Sequence, residues 1–293
     1  LAQAEETHGE AAFWLEDARR LVRRLPMDDP SGANVCGATR QISRQLAPEE
    51  TTDLLERAHA AYRTEMNDVL LAALTLALAD CTDDWRWLVD LEGHGRVPLF
   101  DDVDLSRTVG WFTNCFPVLL EAPESRQPGE ALRRVKDELR RTPRWGLSYG
   151  LLRYLNQGEL SAEIASAPAA DISFNYLGRF DGLLSPDGPF AAANEDGGAA
   201  HSPLNARRHL LEVNAAVRGG RFCVDWTYCE QVHHYATVER LAEAYLRRLR
   251  ELISHCTSDD AGGHAASDFP LAGINNQGME QLARLLDELD QDE

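Results

Sequence analysis

Apolar positions change their period several times along the chain, and each change marks an element. Phe13, Trp14, Leu15, Ala18, Leu21, Val22 and Leu25 fall mostly on one side of a helix over residues 4–25, with Arg19, Arg20, Arg23 and Arg24 elsewhere. Pro26 ends it, and residues 27–34 are turn-rich and polar, a linker. From Thr39 to Leu46 the pattern alternates as in a strand. Pro48 then opens a helix with Leu54, Leu55, Ala58 and Ala61 at helical spacing. From Asn67 to Ala79 apolar residues occur almost all round, the mark of a buried helix, with Asn67 or Asp68 as its cap. Trp87, Leu88, Val89 and Leu91 follow as a buried strand.

The second half continues the alternation of strands and helices. A turn-rich acidic loop from Pro98 to Asp104 leads into residues 107–120, which end as a strand. Residues 129–141 form an Arg-rich helix with Leu132, Val135 and Leu139 inward, stopped by Pro143. A short helix opens at Gly146 and runs through Leu155, and residues 171–178 read as a strand. Residues 181–206 are rich in Gly, Ala and Pro and read as a loop. Strands over 209–217 and 221–228 are joined by Arg218-Gly219-Gly220, a hairpin signal. Thr237 caps a long helix through Ile253, and the chain closes with Ser267-Asp268-Phe269-Pro270-Leu271 and a short charged helix. The sum is a mixed α/β layered domain, a class that hosts many activities and decides none.

Charge and composition narrow the partners. A net charge of −19 argues against nucleic acid and against anionic membrane surfaces. No apolar run reaches the length of a membrane span, and no basic segment precedes an apolar one as in a signal peptide. A cytoplasmic location is expected, and the start at Leu1 without Met suggests a segment of a longer chain. The six cysteines form no C-x-x-C pair and no His/Cys cluster with zinc spacing, so they are expected to be reduced, with no metal held.

The chemistry concentrates at the end of the strand led by Trp87. Glu92-Gly93-His94-Gly95-Arg96 delivers an acid, a histidine and an arginine on a glycine-rich exit. An acid held on a rigid scaffold with room beside it is what proton transfer needs. By spacing alone, Glu92 reads first as a strand-end acid paired with Arg96 or a solvent cation. His94 reads as a residue ordering the loop, and Arg96 as a clamp on neighbouring carboxylates. Trp111 and Phe112 read as core. Asn175 and Tyr176 are consecutive on a strand, so one faces the core and the other a cleft. The Arg-rich helix reads as a solvated face or a patch for an acidic partner.

Five stretches, taken together and in order, resemble the epimerization domains of nonribosomal peptide synthetases, within the condensation-domain superfamily. They are Asn67-Asp68-Val69-Leu70-Leu71-Ala72-Ala73, then Glu92-Gly93-His94-Gly95-Arg96, then Arg107-Thr108-Val109-Gly110-Trp111-Phe112-Thr113 with Pro117, then Pro143 to Gly150, and Phe174-Asn175-Tyr176-Leu177-Gly178. The resemblance implies a chloramphenicol-acetyltransferase-like fold, a mixed-sheet lobe with covering helices, here with the N-terminal lobe largely missing. It implies residues 1–35 as a remnant of that lobe and linker, 36–258 as the C-terminal lobe, and 259–293 as a linker and acidic tail. It implies inversion of the Cα of an aminoacyl or peptidyl thioester carried on the phosphopantetheine of a peptidyl carrier protein, beside adjoining synthetase domains and with no intrinsic cofactor.

Carried over by motif, Glu92 is an acid/base residue buried in a tunnel, and Tyr176 is placed with it as catalytic, lining the tunnel and helping to position the thioester or enolate. His94, Arg96, Thr113, Asn114, Tyr149 and Asn175 bind substrate or support the site. The family's second acid/base residue belongs to an HHxxxDG motif, and this chain has none. His233-His234 is followed by Tyr235-Ala236-Thr237. The isolated chain is therefore expected to be inactive. Val97 stands where the family usually has an acid, and Ser148 where it often has Gly. Two other readings stay open: a condensation-type acyl transferase lobe, and a non-catalytic lobe that docks a carrier protein.

Overall fold

The computed structural model describes residues 1–97, 99–181, 197–198, 200–258, 261–269 and 278. Pro98, Pro270-Leu271, the closing helix, most of the 181–206 loop and nearly all of the acidic tail lie outside the described residues.

Six strands form one mixed sheet. They are β1 (Thr39–Gln45), β2 (Arg86–Gly93), β3 (Asn114–Glu121), β4 (Ile172–Arg179), β5 (Leu211–Arg218) and β6 (Arg221–Cys229), in the order β1-β6-β5-β4-β2-β3. β2 pairs parallel with β4, and β4 parallel with β5; the other neighbours are antiparallel. Gly219 and Gly220 both take positive φ, as the two-residue turn between β5 and β6 requires.

Two long helices cover one face of the sheet. These are α5 (Met66–Cys81) and α9 (Tyr235–Cys256), numbered after the short α1 (Glu5–Gly9), α2 (Ala11–Trp14) and α3 (Asp17–Arg20), and after α4 (Pro48–Glu56). α6 (Pro128–Arg141), α7 (Leu147–Gly150) and α8 (Glu159–Ser166) complete the described α-helices. α5 is buried over nearly its whole circumference, because it lies among the sheet, α6 and α9. Val89, Leu91, Phe174, Val213, Val224 and Trp226 point from the strands into this core. The alternate positions face the other way. Leu88 and Leu119 there form a smaller cluster with Ala170, Ala18 and Val22.

The periodic segments land where the pattern predicts, and the exceptions have local causes. Residues 4–25 are not one helix but three short ones, broken where Glu16 turns to an extended ψ of 137°. Tertiary contacts outweigh helical continuity: the Trp14 indole donates to Ser148 Oγ at 3.0 Å, and Arg19 donates to Glu138 at 2.6 Å and to the Pro117 carbonyl at 3.0 Å. Trp14 and Leu25 thereby join the main core. α5 is capped at Glu65, and Asp68 sits inside the first turn, accepting the Glu65 N–H at 2.6 Å. α9 starts at Tyr235 with His234 as its cap, and the Thr237 hydroxyl donates to Asp28 instead. The strand expected to end residues 107–120 is formed only from Asn114. α8 has no counterpart in the sequence pattern, being one short helix behind Gly158.

The basic helix α6 is neither a solvated face nor a free patch. Arg134 pairs with Glu130, Arg140 with Glu65 and Asp68, and Arg141 with Glu16 and Glu138. Lys136 is buried and donates to the Tyr62 carbonyl and to Asp268. Among the described residues, no helix is long and apolar enough to cross a membrane.

Candidate active site

Glu92 stands at the last turn-out of β2, on the sheet face opposite α5 and α9. The parallel register pairs Asp90 with Ser173 and Leu91 with Phe174, which carries Glu92 beside Asn175. The Asn175 amide donates to Glu92 Oε2 at 2.8 Å. A neutral donor holds one carboxylate oxygen while the other stays available. The carboxylate is exposed in this chain, so the burial expected of it is not supplied by these residues.

The exit loop is built to hold that end of β2 still. Gly95 has φ +66°, and a Cβ there would run into the Phe112 carbonyl. His94 Nδ1 accepts the Arg96 N–H at 3.0 Å, which is the loop-ordering part expected from the sequence. Arg96 is a clamp, but on carbonyl oxygens and not on carboxylates. Its guanidinium donates to the Leu105 and Thr108 carbonyls and lies 4.4 Å from the centroid of the Phe112 ring. No ion pair joins Glu92 to Arg96 among the described residues, so the strand-end pairing is not formed.

The other candidates separate. Tyr176 alternates with Asn175 and packs against the main core, on the face away from Glu92. Burial raises its hydroxyl pKa above the ordinary value. The structure therefore brings Asn175 to Glu92 and does not bring Tyr176 there. Tyr149 is buried, its hydroxyl accepting from Arg153 at 2.8 Å and its ring 5.2 Å from that of Trp14. Asn114 gives its amide to the Trp145 carbonyl at 2.9 Å, bracing a turn in which Arg144 and Trp145 both take positive φ. Thr113 is exposed beside it. Trp111 is 88% exposed and is not core, because the chain has not yet entered β3. Phe112 is half-buried under Arg96.

A polar cluster behind Glu92 leaves little trace in the sequence. Asp90, one row back on the same face, is buried and accepts from His209 Nε2 at 2.8 Å and Arg208 at 3.0 Å. Cys115 stands opposite Glu92 in the β2–β3 register, and burial with Asp90 nearby pushes its thiol pKa up to about 12. It is a proton-bearing, unreactive thiol at the edge of the site. The one signal in the sequence is an acid inside an apolar strand.

Comparison with known proteins agrees with this architecture. The chain is 43% identical over 284 residues to a linear gramicidin synthase of Brevibacillus parabrevis, covering 96% of this chain and 4% of that protein. It is 34% identical over 279 residues to surfactin synthase subunit 1 of Bacillus subtilis, covering 95% of this chain and 8% of that protein. It thus spans a small fraction of the curated relatives it matches. Among solved structures, the epimerization domain from the third module of tyrocidine synthetase B superposes with a TM-score of 0.79 at 33% identity, over 87% of this chain and 57% of that one. A cyclization-docking bidomain from Sorangium cellulosum shares the fold, with a TM-score of 0.61 at 16% identity over 86% of this chain and 49% of that one. The model of the condensation domain matches residues 1–269, and the chain belongs to the condensation-domain family.

Proposed function

We propose that this chain is part of an epimerization domain of a nonribosomal peptide synthetase, and that Glu92 exchanges the Cα proton of an aminoacyl or peptidyl thioester. The observation that carries the reading is the Glu92 carboxylate held by Asn175 at the open end of β2. The likeness to the tyrocidine epimerization domain supports it, being sequence-level as well as structural.

The chemistry follows from the groups present. A thioester acidifies the adjacent Cα–H. Glu92 takes that proton, and the electron pair moves into the carbonyl to give an enolate-like anion. A proton returned to the opposite face of Cα inverts the centre. Asn175 fixes the direction of the carboxylate, so that removal is stereospecific. The acid for the opposite face has no HHxxxDG counterpart in this sequence. The activity proposed is therefore that of a larger polypeptide, with residues 36–258 as one lobe, 1–35 leading in and 259–293 leading out. The substrate arrives on the phosphopantetheine of a peptidyl carrier protein, in the cytoplasm, with adjoining synthetase domains on the same chain.

The test is Cα exchange in deuterated water, with an aminoacyl or peptidyl thioester loaded on a carrier protein. In the full-length synthetase containing this chain, Glu92→Gln is expected to lower deuterium uptake by at least about 100-fold, the usual weight of a positioned base. Unchanged uptake would remove Glu92 from the chemistry. Peptide-bond formation without exchange would favour the acyl-transfer reading that the condensation family also accommodates. Carrier binding with neither reaction would leave a docking lobe.

A further inference from the structure

On the open face of the sheet, the row that holds Glu92 and Asn175 continues into polar positions that the proton transfer does not use. Asn175 pairs with Asn214 across β4–β5, Asn214 with Asp225 across β5–β6, and Asp225 with Ser43 across β6–β1. With Glu92 bonded to Asn175, the row runs as a line across five strands. Each member alternates with a core residue: Phe174, Val213, Val224 and Ile42 point the other way. The row therefore faces away from the covering helices.

Its members differ in how far they are engaged. Asn175 and Asn214 are half-buried, and Asn214 makes no side-chain hydrogen bond among the described residues. Asp225 Oδ1 accepts from the Ser43 hydroxyl at 2.6 Å, and Oδ2 lies 3.4 Å from Arg218. A half-buried amide whose donors and acceptor meet no protein partner can pair with a peptide group through both its N–H and its C=O.

We propose that Asn214 is a subsite for the peptidyl chain of the substrate, contacting a peptide group upstream of the residue whose Cα is at Glu92. This rests on the epimerization reading. Strands lie about 4.8 Å apart, which puts Asn214 roughly 10 Å and Asp225 roughly 14 Å along the row from Glu92. An extended peptide advances about 3.3 to 3.6 Å per residue, so Asn214 is reached about three residues upstream. The pantetheine arm also carries amides, but its length is fixed, so a contact with the arm is felt by every substrate and a contact with the peptide only by the longer ones.

The experiment is a length series. Aminoacyl, dipeptidyl and tetrapeptidyl thioesters are loaded on the carrier protein, and Cα deuterium uptake is followed in the full-length synthetase. Asn214→Ala is expected to lower kcat/KM about tenfold for the tetrapeptidyl substrate, chiefly through KM, the weight of one good hydrogen-bonded contact. The aminoacyl substrate should be unaffected. Asn214→Gln, which keeps the amide, should recover part of the loss. Equal losses at all lengths, from a pantetheine contact or a folding defect, overturn the proposal, as does no loss at any length. Glu92→Gln in the same series separates the two claims. If it abolishes uptake at every length while Asn214→Ala does not discriminate, only the subsite fails. If it leaves uptake intact, the reading of the site fails and takes the subsite with it.

Discussion

At the scale of single residues, the exit from β2 determines what Glu92 can do. Gly95 is the residue the loop tolerates least in altered form, since its φ of +66° and the Phe112 carbonyl both exclude a side chain. Gly95→Ala is expected to cost about 1–3 kcal/mol through backbone strain and displacement of the loop. Because Arg96 ties the same loop to the Leu105 and Thr108 carbonyls, the displacement reaches Glu92, and Cα exchange should fall with stability. Urea unfolding and exchange measured together check this, and a variant of wild-type stability would contradict it. The motif makes Glu92, the loop-ordering His94 and Asn175 legible as candidate site residues in the sequence. Which of them meet is not legible there. The Glu92–Asn175 contact spans 83 positions and exists only because β2 and β4 pair in parallel at one register. The same register turns Tyr176 to the opposite face.

At the scale of elements, period-two and period-3.6 patterns locate the strands and long helices, because each buries one face against the same core. The N-terminal segment has the periodicity of one helix and yet breaks, since its apolar residues serve two clusters, Trp14 in the main core and Ala18 and Val22 in the smaller one. The break delivers Arg19 to α6. Arg19 and Glu138 form a buried pair at 2.6 Å with side chains 3% and 10% exposed. Burial lowers the pKa of Arg19, and burial raises that of Glu138 against the pull of Arg19 and Arg141. Arg19→Met should therefore cost about 3–5 kcal/mol at neutral pH, because it strips most of the compensation from a buried carboxylate. Arg19→Met with Glu138→Gln should recover much of that. A double-mutant cycle in urea measures the coupling, and additive losses would mean that the two side chains act independently.

At the scale of the whole molecule, the response to acid follows from one buried histidine, His233, and two half-buried ones, His59 and His255. His233 is 2% exposed, and burial lowers its pKa below the ordinary 6.5 despite Asp28 at 3.9 Å. Burial lowers His59 and His255 in the same way, the latter with Arg133 adding to the effect. When the folded pKa lies below the unfolded one, the unfolded chain binds more protons in the interval between them. The stability these histidines lend is complete above about pH 6.5 and is lost as pH falls from there toward their folded values. Asp28, Glu50, Asp80 and Asp268, whose folded pKa values are lowered, lose their contribution in a more acidic window. Asp68 and Glu138, raised by burial, work in the opposite sense by taking up protons in the folded state. The first loss on acidification should thus be the histidine one. Each group adds a slope of at most about 1.4 kcal/mol per pH unit in its interval. Melting temperatures from pH 8 to 5.5 should fall below about pH 6.5, and His233→Asn should flatten that fall by one group's share. Parallel profiles for the two proteins would show that His233 accepts its proton as readily folded as unfolded.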